Sequence, residues 1–564
     1  MKFNDYEYLR PDLNALSENI NVLKEDFVNS LTVDDQYKAV DEFNKINNTV
    51  STMETLANIR NSINSNDKFY EEEQEYFNEQ GPVFNETIND FKKSLFESKF
   101  RVELENKYGK YLFDKIEVSL KTFKPEIIED QVQENKLVTK YSKLIASAKI
   151  EFQGEVYNLP QMSPFSQSLD RNIREQAQLA VSKFFGDNET EFDSIYDELV
   201  QVRHRMAVKL GYKNYVDLGY NRLGRTDYDS EMVKTYRDQV YKDIVPLSQN
   251  LISRQGRRLG ITDLKYYDLS LKFLTGNAKP DGDKNYLVNA AKNMYEEMSK
   301  ETGEFINFML EHNLLDLEAK PGKHSGGYCT FITDYKSPFI FANFNGTSGD
   351  VDVLTHEAGH AFQVYQSRNF EIADYMWPTY EACEIHSMSM EFFAWPWMKN
   401  FFGKDEQKYK YSHLSEALIF IPYGVAVDEF QHFVYENPSA TPNERKAKWR
   451  EIEKKYLPHK NYEGNDVLER GCYWFRQGHI FQAPFYYIDY TLAQVLAFQY
   501  FIKSRENYKE AWSGYVALCK LGGSKPFLEL VEAAGLDNPF KEGSLTKVVN
   551  KIDDILDSFD DRSL

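Results

Sequence analysis

The chain of 564 residues carries 67 basic against 88 acidic side chains, a formal charge of −21, and is 42% hydrophobic and 15% aromatic. An acidic balance with no basic stripe excludes nucleic acid and an anionic membrane surface as partners, since both are held by clustered Lys and Arg. The apolar fraction is enough to bury a large core and excludes global disorder.

From the N-terminus, Met1–Glu7 shows no charged stretch followed by an apolar one, so no secretory signal is expected. No run of about 18 apolar residues predicts a spanning helix anywhere. The first 200 residues read as helical and carry no motif to which chemistry attaches; they are expected to form one lobe (1–200), with a catalytic region following (201–564). Ala148–Phe152, Gln153-Gly154 and Glu155–Leu159 alternate around a glycine and predict a β-hairpin. Asn172–Phe185 and Glu191–Leu210 place apolar residues three and four apart among charges, the pattern of amphipathic helices, with Gly186-Asp187-Asn188 as the break. Gly326–Ile332 and Pro338–Phe344 are two apolar runs joined by the polar turn Thr333–Ser337 and predict a short antiparallel pair. The four cysteines (Cys329, Cys383, Cys472, Cys519) are scattered without a CxxC pair, which argues against a disulfide framework or an all-thiolate metal site. A reducing compartment is implied, and a cytoplasmic location is expected.

The densest chemistry follows the strand pair. His356-Glu357-Ala358-Gly359-His360 is an HExxH motif. On a helix its two imidazoles, four residues apart, face one metal ion, and Glu357 beside them is placed to take a proton from water. Asp350 and Asp352 suit the start of such a helix. A catalytic zinc site needs a third protein ligand. Glu381, Glu384, Met388 and Glu391 fall on one helical face, and carboxylates on an otherwise apolar face are costly unless cations or a metal meet them. Glu384 is the expected ligand, with Glu381 and Glu391 holding the ligand imidazoles. Cys383 and His386 point off this face as alternatives.

The HExxH, with Glu384 following His360 by 24 residues inside E-x-x-E-x-x-S-M-x-x-E, resembles the thimet oligopeptidase and oligoendopeptidase F family of zinc metallopeptidases, above all its bacterial oligoendopeptidase F-like (Pz-peptidase-like) branch. Gly478–Tyr490 resembles that family's His-then-tyrosines segment. The resemblance implies a mainly α fold of two helical lobes enclosing a deep substrate channel, with a small antiparallel sheet beside the HExxH helix. It implies one Zn2+ per chain, oligopeptide substrates, and His479 and Tyr490 acting on substrate and oxyanion, with Tyr487 or Tyr486 as the second hydroxyl. It also implies that Phe339–Phe344 is the edge strand pairing with substrate, which makes Phe341, Ala342 and nearby Gly327 substrate-binding. The expected activity is endopeptidase cleavage of short unstructured peptides. A dipeptidyl carboxypeptidase with the same zinc site and a non-catalytic helical peptide-binding protein are the rivals. The oligomeric state, monomer or small homo-oligomer, is left open by the sequence.

Overall fold

The computed structural model describes residues 1–564 apart from Pro321 and Ser325. Helices dominate, and they form where the spacing of apolar residues predicts them. Arg171–Asp187 starts at Asp170, whose carboxylate accepts the Asn172 N–H at 2.9 Å, and it buries Ala177, Val181 and Phe185 at four-residue intervals. Glu189–Leu210 follows at once and stops at Gly211, whose φ of 92° supplies the left-handed turn that ends it. The hairpin pairs β1 (Ile150–Phe152) with β2 (Glu155–Tyr157), and its turn residues Gln153 and Gly154 both have positive φ. Among the described residues no helix is long and apolar enough to cross a membrane.

Two cores result. Helices between Leu13 and Leu120 pack Leu13, Ile20, Phe27, Phe43 and Phe91 into a core of their own, into which Ile372 and Tyr375 insert from a later segment. The Tyr375 hydroxyl donates to the Tyr108 carbonyl at 2.7 Å and accepts from the Leu112 N–H at 2.9 Å. These contacts tie the first core to the second, far larger one, which takes in Phe3, Tyr6, Leu56 and Ile59 from the N-terminal segment and extends to the last helix, Ser544–Asp557. One wall of the functional cleft comes from α1 (Lys110–Leu120) and α2 (Tyr215–Arg222).

The sheet beside the cleft corrects one expectation. The predicted antiparallel pair is present as β4 (Tyr328–Ile332) and β5 (Ser337–Phe344), but β3 (Leu315–Glu318) adds in parallel on the other side of β5. The sheet is therefore mixed, in the order β3-β5-β4, and β5 is its central strand. Phe341 and Ala342 are buried in that centre, and the Ala342 carbonyl also accepts from Lys323 Nζ at 2.5 Å. Neither has a free backbone edge to offer a substrate. The run Phe339-Ile340-Phe341-Ala342, apolar on both faces, is the composition of a strand covered on both sides. The outer strands are β3 and β4, and β4 is the edge that lines the cleft.

Candidate metal centre

The HExxH motif lies on α3 (Gly349–Ser367). Asp350 accepts the N–H groups of Asn345 and Gly346 at 2.9 and 2.8 Å, fixing how the chain leaves β5 and enters the helix. Against α3 packs α4 (Tyr380–Phe393), and the crossing point is Gly359. A Cβ there would lie 2.6 Å from the Ser387 Cα and 2.7 Å from the His386 carbonyl oxygen. The glycine inside HEAGH is thus what lets the two backbones approach closely enough for His356, His360 and Glu384 to meet.

Across that crossing Glu384 Oε2 lies 3.3 Å from His356 Nε2 and 3.5 Å from His360 Nε2. One donor atom from each of the three residues falls within 4.8 Å of the others. Tetrahedral ligands at about 2.0–2.1 Å from an ion sit roughly 3.4 Å apart, so the donor set fits a zinc-sized cation. Burial alone would raise the Glu384 carboxyl, but His360 and His356 hold it well below the ordinary range. Its other oxygen accepts from the Tyr486 hydroxyl at 2.8 Å, and Ser387 Oγ donates to Oε2 at 3.0 Å.

The imidazole of His356 is oriented from behind. Its Nδ1 donates to Glu391 Oε1 at 2.7 Å, leaving Nε2 free as the ligand atom. The second oxygen of Glu391 accepts from His413 Nε2 at 2.7 Å, and His413 Nδ1 accepts in turn from Trp395 Nε1 at 3.2 Å. Burial pushes the Glu391 carboxyl up, yet the two histidines pull it down to about 2, so it is an anion shared between two rings. Replacing Glu391 by Ala is expected to weaken affinity for a divalent metal by about 10–100-fold, read by competition with a chromophoric chelator. Unchanged affinity would show that His356 is held without it.

Not every carboxylate on that face does this work. Glu381 accepts from the Tyr228 hydroxyl and lies 3.7 Å from Arg225 Nε, so it braces a buried cation and touches neither ligand imidazole. His386 is turned into the core beside Cys519 Sγ at 3.5 Å, and burial lowers its pKa to about 3. Cys383 reaches the cleft, where its thiol faces the Pro378 carbonyl and burial pushes it well above its usual range. Neither joins the donor cluster.

Around the cluster is a cavity of ≈ 700 Å³ lined by His356, Glu357, His360, Glu384, Tyr486 and Tyr490, with Gly327–Thr330 along one side. Glu357 is 8% exposed, and burial raises its pKa while His356 and His360 act against the rise. A Cβ on Gly327 would come within 3.8 Å of Glu357 Oε1, so Gly327 keeps the space over that carboxylate narrow but open. A second cavity of ≈ 660 Å³ meets the first at Tyr490 and includes His479, Tyr487, Asp352 and His413. Gln477 Nε2 donates to His479 Nδ1 at 2.9 Å, which leaves the proton on Nε2, 3.4 Å from the Tyr490 hydroxyl.

The structure separates the two candidate tyrosines. Tyr486 and Tyr490 are four residues apart at the start of α6 (Tyr487–Leu521; α5 is Glu406–Glu436) and share a face, with ring centroids 5.1 Å apart. Tyr487 is turned about 100° away, against Phe420 and Tyr423, and lines the second cavity. Tyr486, rather than Tyr487, stands at the donor cluster. Sequence reasoning missed His413, on α5, because a lone histidine 22 residues beyond Glu391 has no spacing that marks it. It missed Arg225, Tyr228 and Asp489 for the same reason.

A helical fold with paired HExxH histidines, a facing glutamate and a free strand edge in one cleft is the build of a peptidase. Residues 165–549 match the model of Peptidase family M3, and residues 3–123 match the Peptidase M3 N-terminal domain. The chain belongs to peptidase family M3. Among solved structures, one of Pz peptidase A with an inhibitor superposes with a TM-score of 0.97 at 56% identity, covering 100% of both chains. An oligoendopeptidase F homologue from Borreliella burgdorferi is 23% identical over 442 residues, 74% of this chain and 72% of the relative. Oligoendopeptidase F from Enterococcus faecium shares the fold, with a TM-score of 0.63 at 16% identity over 97% of this chain and 98% of that one.

Proposed function

We propose that this family M3 peptidase is a zinc-dependent oligoendopeptidase that cuts internal bonds of short, unstructured peptides. The observation that carries the reading is the donor cluster His356, His360 and Glu384, with Glu357 beside it, in the cleft that the free edge of β4 borders. A zinc ion held by these three residues supplies Lewis-acid polarisation of the scissile carbonyl and of the attacking water. The chain's own residues do the rest. Backbone groups of β4 pair with the peptide main chain irrespective of side chains, which suits broad sequence tolerance. Glu357 takes the proton from the attacking water and returns it to the leaving amine. Tyr490 and the Nε2–H of His479 donate to the oxyanion as it develops, and Tyr486 joins them only by turning its single O–H away from Glu384. Burial pushes both phenols above their ordinary pKa, so they remain neutral donors at pH 7. In the same reading residues 1–200 wall the cleft, as Tyr111 and Lys115 do from α1, and residues 201–564 carry the chemistry.

The test is a mass-spectrometric digest of mixed synthetic peptides, from roughly 5 to 20 residues, with and without a zinc chelator. Internal cuts abolished by chelator and restored by zinc are expected. Release of C-terminal dipeptides alone would convert the reading to a dipeptidyl carboxypeptidase. Intact peptides from a zinc-loaded sample would end the catalytic reading and leave peptide binding.

A further inference from the structure

The wall of the cavity contributed by α1 and α2 is basic in a chain whose formal charge is −21. Lys115 on α1 and Arg222 at the end of α2 both line it. Lys115 Nζ donates to the backbone carbonyl of Asp374 at 2.6 Å. An ammonium carries three donors, and among the described residues Lys115 forms no salt bridge. The carboxylate acting on it is that of Asp374, which Lys92 shares at 3.9 Å. Arg222 shares the carboxylate of Glu134 with Arg203, at 2.9 and 2.7 Å, and also donates to the Tyr215 hydroxyl at 2.9 Å. Burial depresses the Lys115 pKa, the direction expected of a cation kept in a cleft without a full counter-charge.

From this arrangement we infer that Lys115, on the cavity wall that Arg222 also lines, forms a subsite for a carboxylate of the bound peptide, and so sets substrate preference. The inference deepens the peptidase reading and rests on it. The carboxylate comes either from an acidic side chain or from the peptide's C-terminus. A bound carboxylate accepts the unused Lys115 donors and balances the local surplus of positive charge, and it remains paired through the reaction. Its effect therefore falls mainly on KM.

The experiment uses internally quenched peptides of one parent sequence in three forms: neutral with an amidated C-terminus, amidated with one acidic residue moved stepwise along the chain, and neutral with a free C-terminus. The wild-type protein is expected to favour a carboxylate-bearing form by roughly 10–100-fold in kcat/KM. The amidated acidic form identifies a side chain as the source, and the free-acid form identifies the C-terminus. Lys115→Met is expected to collapse that ratio towards one, and Lys115→Arg to keep it. A merely structural lysine would depress all three peptides together and leave the ratio intact. That result, or a wild-type enzyme that cleaves the neutral peptide as well as both others, overturns the subsite while leaving the peptidase reading standing. A wild-type enzyme that cleaves none of them overturns both.

Discussion

Glu357→Gln is expected to lose roughly 10²–10⁴-fold in kcat while keeping its full complement of zinc. The substitution preserves the volume and one acceptor oxygen of a side chain that is 8% exposed and packed over by Gly327, so the cavity wall should not collapse. What it removes is the capacity to take a proton and hand it on. The donor atoms of His356, His360 and Glu384 are untouched, and metal content, measured by mass spectrometry of the loaded protein, should stay at one ion per chain. Peptide affinity should also persist, because the edge of β4 and the hydroxyls of Tyr486 and Tyr490 remain in place. A Gln variant that retains activity within a few-fold would remove Glu357 from the reaction and leave water activation without a base. A variant that loses activity and metal together would place Glu357 in the architecture of the metal centre instead.

The chemistry was legible in the sequence wherever it depended on spacing along one element. His356, Glu357 and His360 are a one-turn pattern, and Glu384 and Glu391 stand two turns apart on one helix, so helical geometry gave which side chains share a face, while the meeting of the two helices that brings His356, His360 and Glu384 together did not follow from it. The predicted hairpin and the helices around residues 171–210 were equally local. What failed was non-local. Whether Phe339–Phe344 is an edge or a centre depends on a third strand, β3, which arrives from more than twenty residues upstream and pairs in parallel. The partner of Glu381 is a guanidinium about 150 residues earlier in the chain, and no pattern on α4 distinguishes a carboxylate that braces Arg225 from one that holds an imidazole. Tyr486 and Tyr487 could be told apart only once the start of α6 was known, since one residue of helical phase decides which ring faces the donor cluster. Gly359 was within reach: a glycine between two metal-binding histidines costs helix stability and implies that something packs directly on the backbone there.

Arg225→Met is expected to destabilise the fold by about 3–5 kcal/mol at neutral pH. Arg225 lies in the turn after α2, fully enclosed, where Nη2 bonds Asp489 Oδ1 and the Phe485 carbonyl, each at 2.6 Å, and Nε lies 3.7 Å from Glu381. Tyr220 and Tyr228 cover its guanidinium, with ring centroids at 4.3 and 5.1 Å. One cation therefore serves two buried carboxyl groups, on α6 and on α4, the helices that present Tyr490 and Glu384. It also pins Phe485, whose φ of 67° is strained for a residue with a side chain and which aims Tyr486 at the cluster. Burial already pushes the Asp489 carboxyl well above its usual range, with Arg225 the chief opposing influence. Removing that cation raises the folded-state pKa further. A carboxyl whose folded pKa exceeds its unfolded value of about 3.9 keeps its stability below that value and loses it as the pH rises through the folded pKa. The deficit of Arg225→Met relative to wild type should accordingly be constant at low pH and grow only as the pH rises above the raised folded-state pKa that Asp489 already has in the wild type, as read from urea midpoints across the pH range. Adding Asp489→Asn to the variant removes the buried carboxyl that has lost its cation and should recover a large part of the loss above that pKa, a coupling that a double-mutant cycle measures directly. A deficit independent of pH, or no recovery in the double variant, would mean that Arg225 acts through packing against its tyrosines and not through the charge it neutralises. In either case Tyr486 loses the contact that fixes its backbone, and peptidase activity should fall in the folded fraction as well.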